Sequence, residues 1–196
     1  MSKKDISNVI LALQKGSLVV YPTDTLYAIG ANIYNEDAVR RVFQIKRRPF
    51  SNPLPVAVPS FELMKEIAYT NDSVKHLTKS FLPGALTLIL KKKNCVSDIV
   101  TGGLNNIAVR IPANDIALEL LSTFGPLTVT SANIHGEKTP GFINDIRTKF
   151  KDDDISAYID AGRLEGKPST IVDLTSKKPR IIREGILPAD QILGVI

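Results

Sequence analysis

Three arginines, Arg48, Arg110 and Arg183, stand at or just past the ends of segments that read as secondary structure. Hydroxyl and amide side chains gather at comparable places: Thr23 and Thr25 with Asp24, then Thr130, Ser131 and Asn133, then Ser169 and Thr170. A planar guanidinium grips carboxylates and phosphates at two points, so this set suits one or more anions held by hydrogen bonds. Taken singly, each Ser, Thr or Asn reads equally as a helix cap or turn former. Their coincidence with three arginines favours a site. In an open α/β sheet, strand ends of this kind line one crevice.

Absent motifs narrow the chemistry. No Gly-x-x-x-x-Gly-Lys-Ser/Thr loop, Gly-x-Gly-x-x-Gly or Gly-x-Ser-x-Gly elbow occurs. The single cysteine, Cys95, and two distant histidines, His76 and His135, give neither a disulfide nor a His/Cys metal cluster. A nucleophile with its base is therefore hard to assemble. Positioned reactants with cations around a phosphorus centre fit better. No metal ligand set is readable, Asp24 being the sole weak candidate.

The stretch that organises the rest begins at Leu18, Val19 and Val20, a buried strand that breaks into hydroxyls and a carboxylate at Pro22. Asn35, Glu36 and Asp37 open a helix whose apolar face is Val39, Val42 and Phe43, with Lys46 at i+7. Lys46, Arg47 and Arg48 emerge where Pro49 stops it. Such cations can simply offset the helix dipole. They can also form an anion site, held by side chains alone because this end of a helix repels phosphate.

Further helices are expected over 5–15, from Ser60 to about 68, over 72–81, from Asn114 to about 123, around 144–150 and after Pro188. Strands are expected over 54–58, where Pro55 suggests an edge, and over 86–90, 107–112, 127–130, around 158, and over 171–174 and 179–183. The prediction is an α/β fold in one domain, residues 1–196: a twisted mixed sheet flanked by helices, with an open concave cleft.

Hydrophobic residues at 43% and charged ones at 23% are ordinary for a globular chain, and the net charge of +5 suits a polyanionic ligand. The runs Lys91-Lys92-Lys93 and Lys177-Lys178 with Arg180 read as solvated strand ends. No apolar signal segment opens the chain and no apolar run reaches the ~18 residues of a membrane span. A reducing, cytoplasmic setting is the expectation.

Five motifs occur together: Tyr21-Pro22-Thr23-Asp24-Thr25-Leu26-Tyr27-Ala28-Ile29-Gly30, Lys46-Arg47-Arg48 with Asn52-Pro53-Leu54, Val109-Arg110-Ile111-Pro112, Thr130-Ser131-Ala132-Asn133, and Pro168-Ser169-Thr170-Ile171-Val172-Asp173 with Arg183. In this order they resemble the YrdC-like family, in its short single-domain form. Its characterised members are L-threonylcarbamoyladenylate synthases. The resemblance implies a nucleotidyltransferase that makes threonylcarbamoyl-AMP and pyrophosphate from L-threonine, bicarbonate or CO2, and ATP, with Mg2+. It implies a downstream tRNA threonylcarbamoyl-transfer machinery and the N6-threonylcarbamoyladenosine modification. Thr25, Arg110 and Ser169 correspond to the threonine site. Arg48, Asn52, Ser131, Asn133, Thr139 and Arg183 correspond to the ATP site, Lys46 to a lysine near the phosphates, and Asn106 by its distance from Arg110.

Two features depart from the synthase pattern: Ala28-Ile29 replaces a Gly-Leu pair, and Ala57 stands where a histidine often joins the threonine pocket. Together with Asp173-Leu174-Thr175 and Arg183-Glu184-Gly185, the first is similar to the YciO branch. The alternative is therefore a YciO-like RNA-binding protein without synthase activity, holding tRNA or double-stranded RNA by its backbone.

Overall fold

The computed structural model describes residues 3–151, 153–176 and 178–195. The first half of the chain runs α1 (Lys3–Gln14), β1 (Val19–Pro22), β2 (Tyr27–Gly30), α2 (Glu36–Lys46), β3 (Val56–Ala57), α3 (Phe61–Ile67), α4 (Asp72–Phe81) and β4 (Leu86–Lys91). The second half runs α5 (Asp98–Thr101), β5 (Asn106–Arg110), α6 (Asp115–Phe124), β6 (Leu127–Thr128), β7 (Thr130–Ser131), α7 (Ile143–Arg147), β8 (Ala157–Tyr158), β9 (Thr170–Asp173), β10 (Arg180–Arg183) and α8 (Ala189–Leu193). Lys177 lies outside the described residues.

Helix starts follow local chemistry. Asn35, Ser60, Asn71 and Asn114 each accept a hydrogen bond from the backbone N–H three residues on, satisfying one orphan donor of the first turn. α2 ends at Lys46, as expected, but Pro49 is not what stops it. Arg47, in the left-handed region at φ 51°, closes the helix by donating its N–H to Gln44 O and Phe43 O, two residues before Pro49.

The strands form two mixed sheets in place of the single one expected, ordered β7-β2-β1-β8 and β10-β9-β4-β5-β3-β6. The cause lies at 127–130, which reads as one strand but splits. β6 pairs with β3, β7 pairs with β2, and Val129 between them donates its N–H to the Pro55 carbonyl. Thr128 ties the sheets together: its hydroxyl donates to Ile29 O and accepts from Ala31 N, and its carbonyl accepts from the Tyr21 hydroxyl. β3 is interior, between β5 and β6, and not an edge; it stays two residues long because Pro55, which has no N–H to give a ladder, precedes it.

Two apolar clusters form the core. One packs α2, α3 and α4 against the six-stranded sheet, and the other packs α1 and α6 against β1. Gly30 lies where β2 meets Tyr21: an added Cβ would come 2.9 Å from the Tyr21 ring and 3.1 Å from Val19. Both are fully buried, and the Tyr21 hydroxyl is fixed on Thr128. Gly30→Ala is expected to cost about 1–3 kcal/mol by overpacking, a fall of roughly 2–10 °C in Tm. A thermal melt matching the unmodified protein would show that the Tyr21 ring yields.

Candidate functional site

β1 and β2 are joined by a tight turn in which Thr23 Oγ1 accepts from the N–H of Thr25 and of Leu26. The turn holds the Thr25 hydroxyl against Arg110, the last residue of β5. Arg110 donates from Nη1 to Thr25 Oγ1 at 2.8 Å, from Nη2 to Asp24 Oδ1 at 2.6 Å and from Nε to Gly84 O at 3.0 Å. On the neighbouring strands, Thr87 and Ser169 share a hydroxyl hydrogen bond of 2.8 Å, and Arg183 donates through Nε and Nη2 to Ser169 O. Arg48, just past α2, donates to Asn52 O and Pro53 O.

These groups converge. Arg48, Arg110 and Arg183, with Thr25, Ser131 and Ser169, line one cavity of about 400 Å³ that, among the described residues, no acidic side chain lines. A second cavity of about 790 Å³ is lined by Asn133, Thr139, Lys138 and Lys167 among others, and shares Leu26, Ser131, Pro168 and Arg183 with the first. Burial holds all three guanidinium groups below the usual arginine range. At Arg110 the Asp24 carboxylate opposes this, whereas at Arg183 the Arg110 charge adds to it. Cations that are both desolvated and mutually repelling are stabilised by an arriving anion.

Other residues singled out in the sequence lie elsewhere. Asn106 opens β5 beside Lys91 and lines neither cavity, four residues from Arg110 along an extended strand. Asn52 lines neither as well; its carbonyl receives Arg48, and its side chain stands 3.4 Å from the His135 ring. Ala57 is fully buried in the core under α1 and α6, outside the cavity lining, whereas Ala28 lines the first cavity. Asp24 is ion-paired with Arg110 and also accepts from Ala113 N. Among the described residues no group of three or more His, Cys, Asp or Glu could hold a metal ion.

Lys46 departs most from expectation. It continues the buried stripe of Val39, Val42 and Phe43 and is 1% exposed. Its ammonium donates to Ser131 O at 2.5 Å, Asn133 O at 2.6 Å and Asn133 Oδ1 at 3.2 Å. Burial, then the Arg48 charge, pull it down to about 7, against three oxygens that favour the charged form. Thr87 was invisible in the sequence except as one hydroxyl inside the apolar run Leu86–Leu90. Lys138 and Lys167 carried no signal beyond their place in loops.

The strand ends of this α/β fold thus enclose an arginine-lined cavity beside a larger one that Glu137 and Glu165 line together with Lys138 and Lys167. The chain belongs to the Sua5/YciO/YrdC family, whose sequence profile, described as telomere recombination, matches residues 11–185. The threonylcarbamoyl-AMP synthase of Pyrococcus abyssi is 40% identical over 187 residues, covering 94% of this chain and 55% of that protein. The crystal structure of P. abyssi Sua5 complexed with L-threonine superposes with a TM-score of 0.94 at 38% identity, over 100% of this chain and 58% of that one. The crystal structure of E. coli YciO superposes with a TM-score of 0.89 at 27% identity, over 97% and 94%. The chain thus spans little more than half the length of the P. abyssi relative. Among the described residues no helix is long and apolar enough to cross a membrane.

Proposed function

We propose that this chain, acting as one domain in the cytoplasm, is a threonylcarbamoyl-AMP synthase, a nucleotidyltransferase that condenses L-threonine, bicarbonate or CO2, and ATP. The observation that carries the reading is the convergence of Arg48, Arg110 and Arg183, from distant parts of the chain, on one acid-free cavity. The P. abyssi relatives, one of them complexed with L-threonine, support the substrate.

In this reading the first cavity takes threonine, with its carboxylate on Arg110 and hydrogen bonds from Thr25 and Ser169. The second takes the nucleotide, with Ser131 and Thr139 on its wall, Arg183 at its junction with the first, and Arg48 on the wall of the first. The neutral amine of threonine attacks CO2, losing a proton, to give a carbamate. A carbamate oxygen then attacks the α-phosphorus, and the bond to the bridging oxygen breaks as pyrophosphate leaves. No covalent enzyme intermediate forms, so what the chain supplies is orientation and cation density at the phosphates. Mg2+ would enter on the triphosphate, as it commonly does through substrate oxygens. A separate tRNA threonylcarbamoyl-transfer machinery would consume the adenylate. RNA binding in place of synthesis is disfavoured because the arginines are sunk in a cavity and not spread over a face.

Purified protein given ATP, bicarbonate and labelled threonine is expected to release pyrophosphate and labelled threonylcarbamoyl-AMP, and neither without threonine. Absence of both products overturns the reading.

A further inference from the structure

We propose that Lys46 is a positioning residue: its ammonium ties down the segment from Ser131 to Thr139 that forms one wall of the nucleotide cavity, and does not itself contact phosphate. The link to the nucleotide rests on the synthase reading; the tie itself does not.

The connectivity is closed on all sides. Lys46 grips the segment twice, through Nζ on the Ser131 and Asn133 carbonyls and through its own carbonyl, which accepts from His135 N at 2.8 Å. An ammonium has three donors, and Lys46 has three oxygen partners, so none is left for a ligand. Asn133 is equally committed. Its Oδ1 accepts from Lys46 and from Ser131 Oγ at 2.6 Å, while Nδ2 donates to Ile134 O and Glu137 O. The amide thus carries the hold of Lys46 onward to Glu137, two residues short of Thr139. Asn133, at 7% exposed, is nearly as deep as Lys46.

The arrangement explains why a lysine stands in the apolar stripe of α2. The 131–137 segment leaves β7 with carbonyls that no strand pairs, and in an interior such groups require donors. One cation at the end of a rigid helix supplies them together. Removing it takes the ammonium from Asn133 O outright, and leaves Ser131 O with only Asn133 N and Asn133 Oδ1 with only Ser131 Oγ as donors, so the segment is then expected to open to water.

The test compares Lys46→Met and Lys46→Gln with the unmodified protein. Hydrogen exchange of the His135 and Glu137 amides, measured without ligand, is expected to quicken by about tenfold or more in Lys46→Met, the equivalent of one lost buried hydrogen bond. Glutamine is uncharged but has two N–H donors, and is expected to recover part of that protection. In turnover, Lys46→Met is expected to raise the ATP KM by about tenfold or more, on the same scale, with the threonine KM nearly unchanged.

Unchanged exchange in ligand-free Lys46→Met overturns the proposal, whatever happens to KM. Faster exchange with an unaltered ATP KM also overturns it, since the tie would then be merely structural. Equal ATP KM values for the Met and Gln variants, both raised, would assign Lys46 to phosphate through its charge. Should Lys46→Met fail to fold, Lys46→Gln decides by the same exchange reading. Unmodified protein that makes no adenylate sinks the synthase reading instead, and the exchange comparison still decides the tie.

Discussion

Replacing Arg110 by alanine is expected to raise the apparent KM for threonine by about 30-fold to several thousand-fold, the equivalent of about 2–5 kcal/mol for a buried charge pair broken on one side. The ATP KM should stay close to that of the unmodified protein. Arg110 is 4% exposed, so solvent screening does little to weaken what it holds. Three of its five donors are spent on Gly84, Thr25 and Asp24. Two remain, one on each terminal nitrogen, enough for a two-point grip on a carboxylate. The spent donors matter too, because Asp24 and Gly84 fix the plane in which the free pair lies. Arg110→Lys keeps a charge and loses the fork, so it should also raise the threonine KM, though less. Steady-state kinetics with each substrate varied, on samples whose melting has been compared, reads this directly. A threonine KM unmoved in Arg110→Ala removes the residue from the carboxylate.

What the sequence disclosed was governed by local chemistry. Asn35, Ser60, Asn71 and Asn114 cap helices with side chains that reach only three residues on, and all four starts were legible. The strand-end arginines were legible for a related reason: a cation after an apolar run has few purely structural uses. The failures involve long-range partners. Leu127–Thr130 reads as a single strand; only the Pro55 carbonyl, distant in sequence, draws Val129 aside and sends β6 and β7 to different sheets. Lys46 carried a usable signal that its charge obscured: it occupies the i+7 position of the stripe Val39, Val42 and Phe43, and that face is buried. Asn106 illustrates the reverse, since a fixed distance from Arg110 says nothing about which way an extended strand points its side chains. Thr87 meets Ser169 across two parallel strands whose pairing no local pattern announces.

Gly166→Ala is expected to lower kcat/KM for both substrates by about a hundredfold or more, the scale on which a displacement of about 1 Å acts in an oriented site. Gly166 belongs to the segment between β8 and β9 and lines the second cavity. A methyl group there would enter the van der Waals envelope of the Thr25 carbonyl oxygen and stand 3.1 Å from its carbon. Both atoms are backbone, so no flexible side chain can swing aside. Lifting the segment is resisted at both flanks, on the C-terminal side by Ile186 N, which donates to Pro168 O, and on the N-terminal side by three bonds. The Tyr27 hydroxyl accepts from Ala161 N and donates to Gly162 O, and Leu164 N donates to Gly141 O. Strain must therefore reach Thr25 itself, whose hydroxyl rests on Arg110, and Pro168, which lines both cavities. Threonine and nucleotide should suffer together, unlike in Arg110→Ala, where one suffers alone. Arg163→Ala is the control on the same segment, because it breaks an exposed pair with Glu165, worth about 0.2–1 kcal/mol, and a distant stacking of the guanidinium over the Phe142 ring, and touches no backbone. Kinetics of Gly166→Ala equal to those of Arg163→Ala would mean that the segment moves freely over Thr25 and plays no part in shaping either cavity.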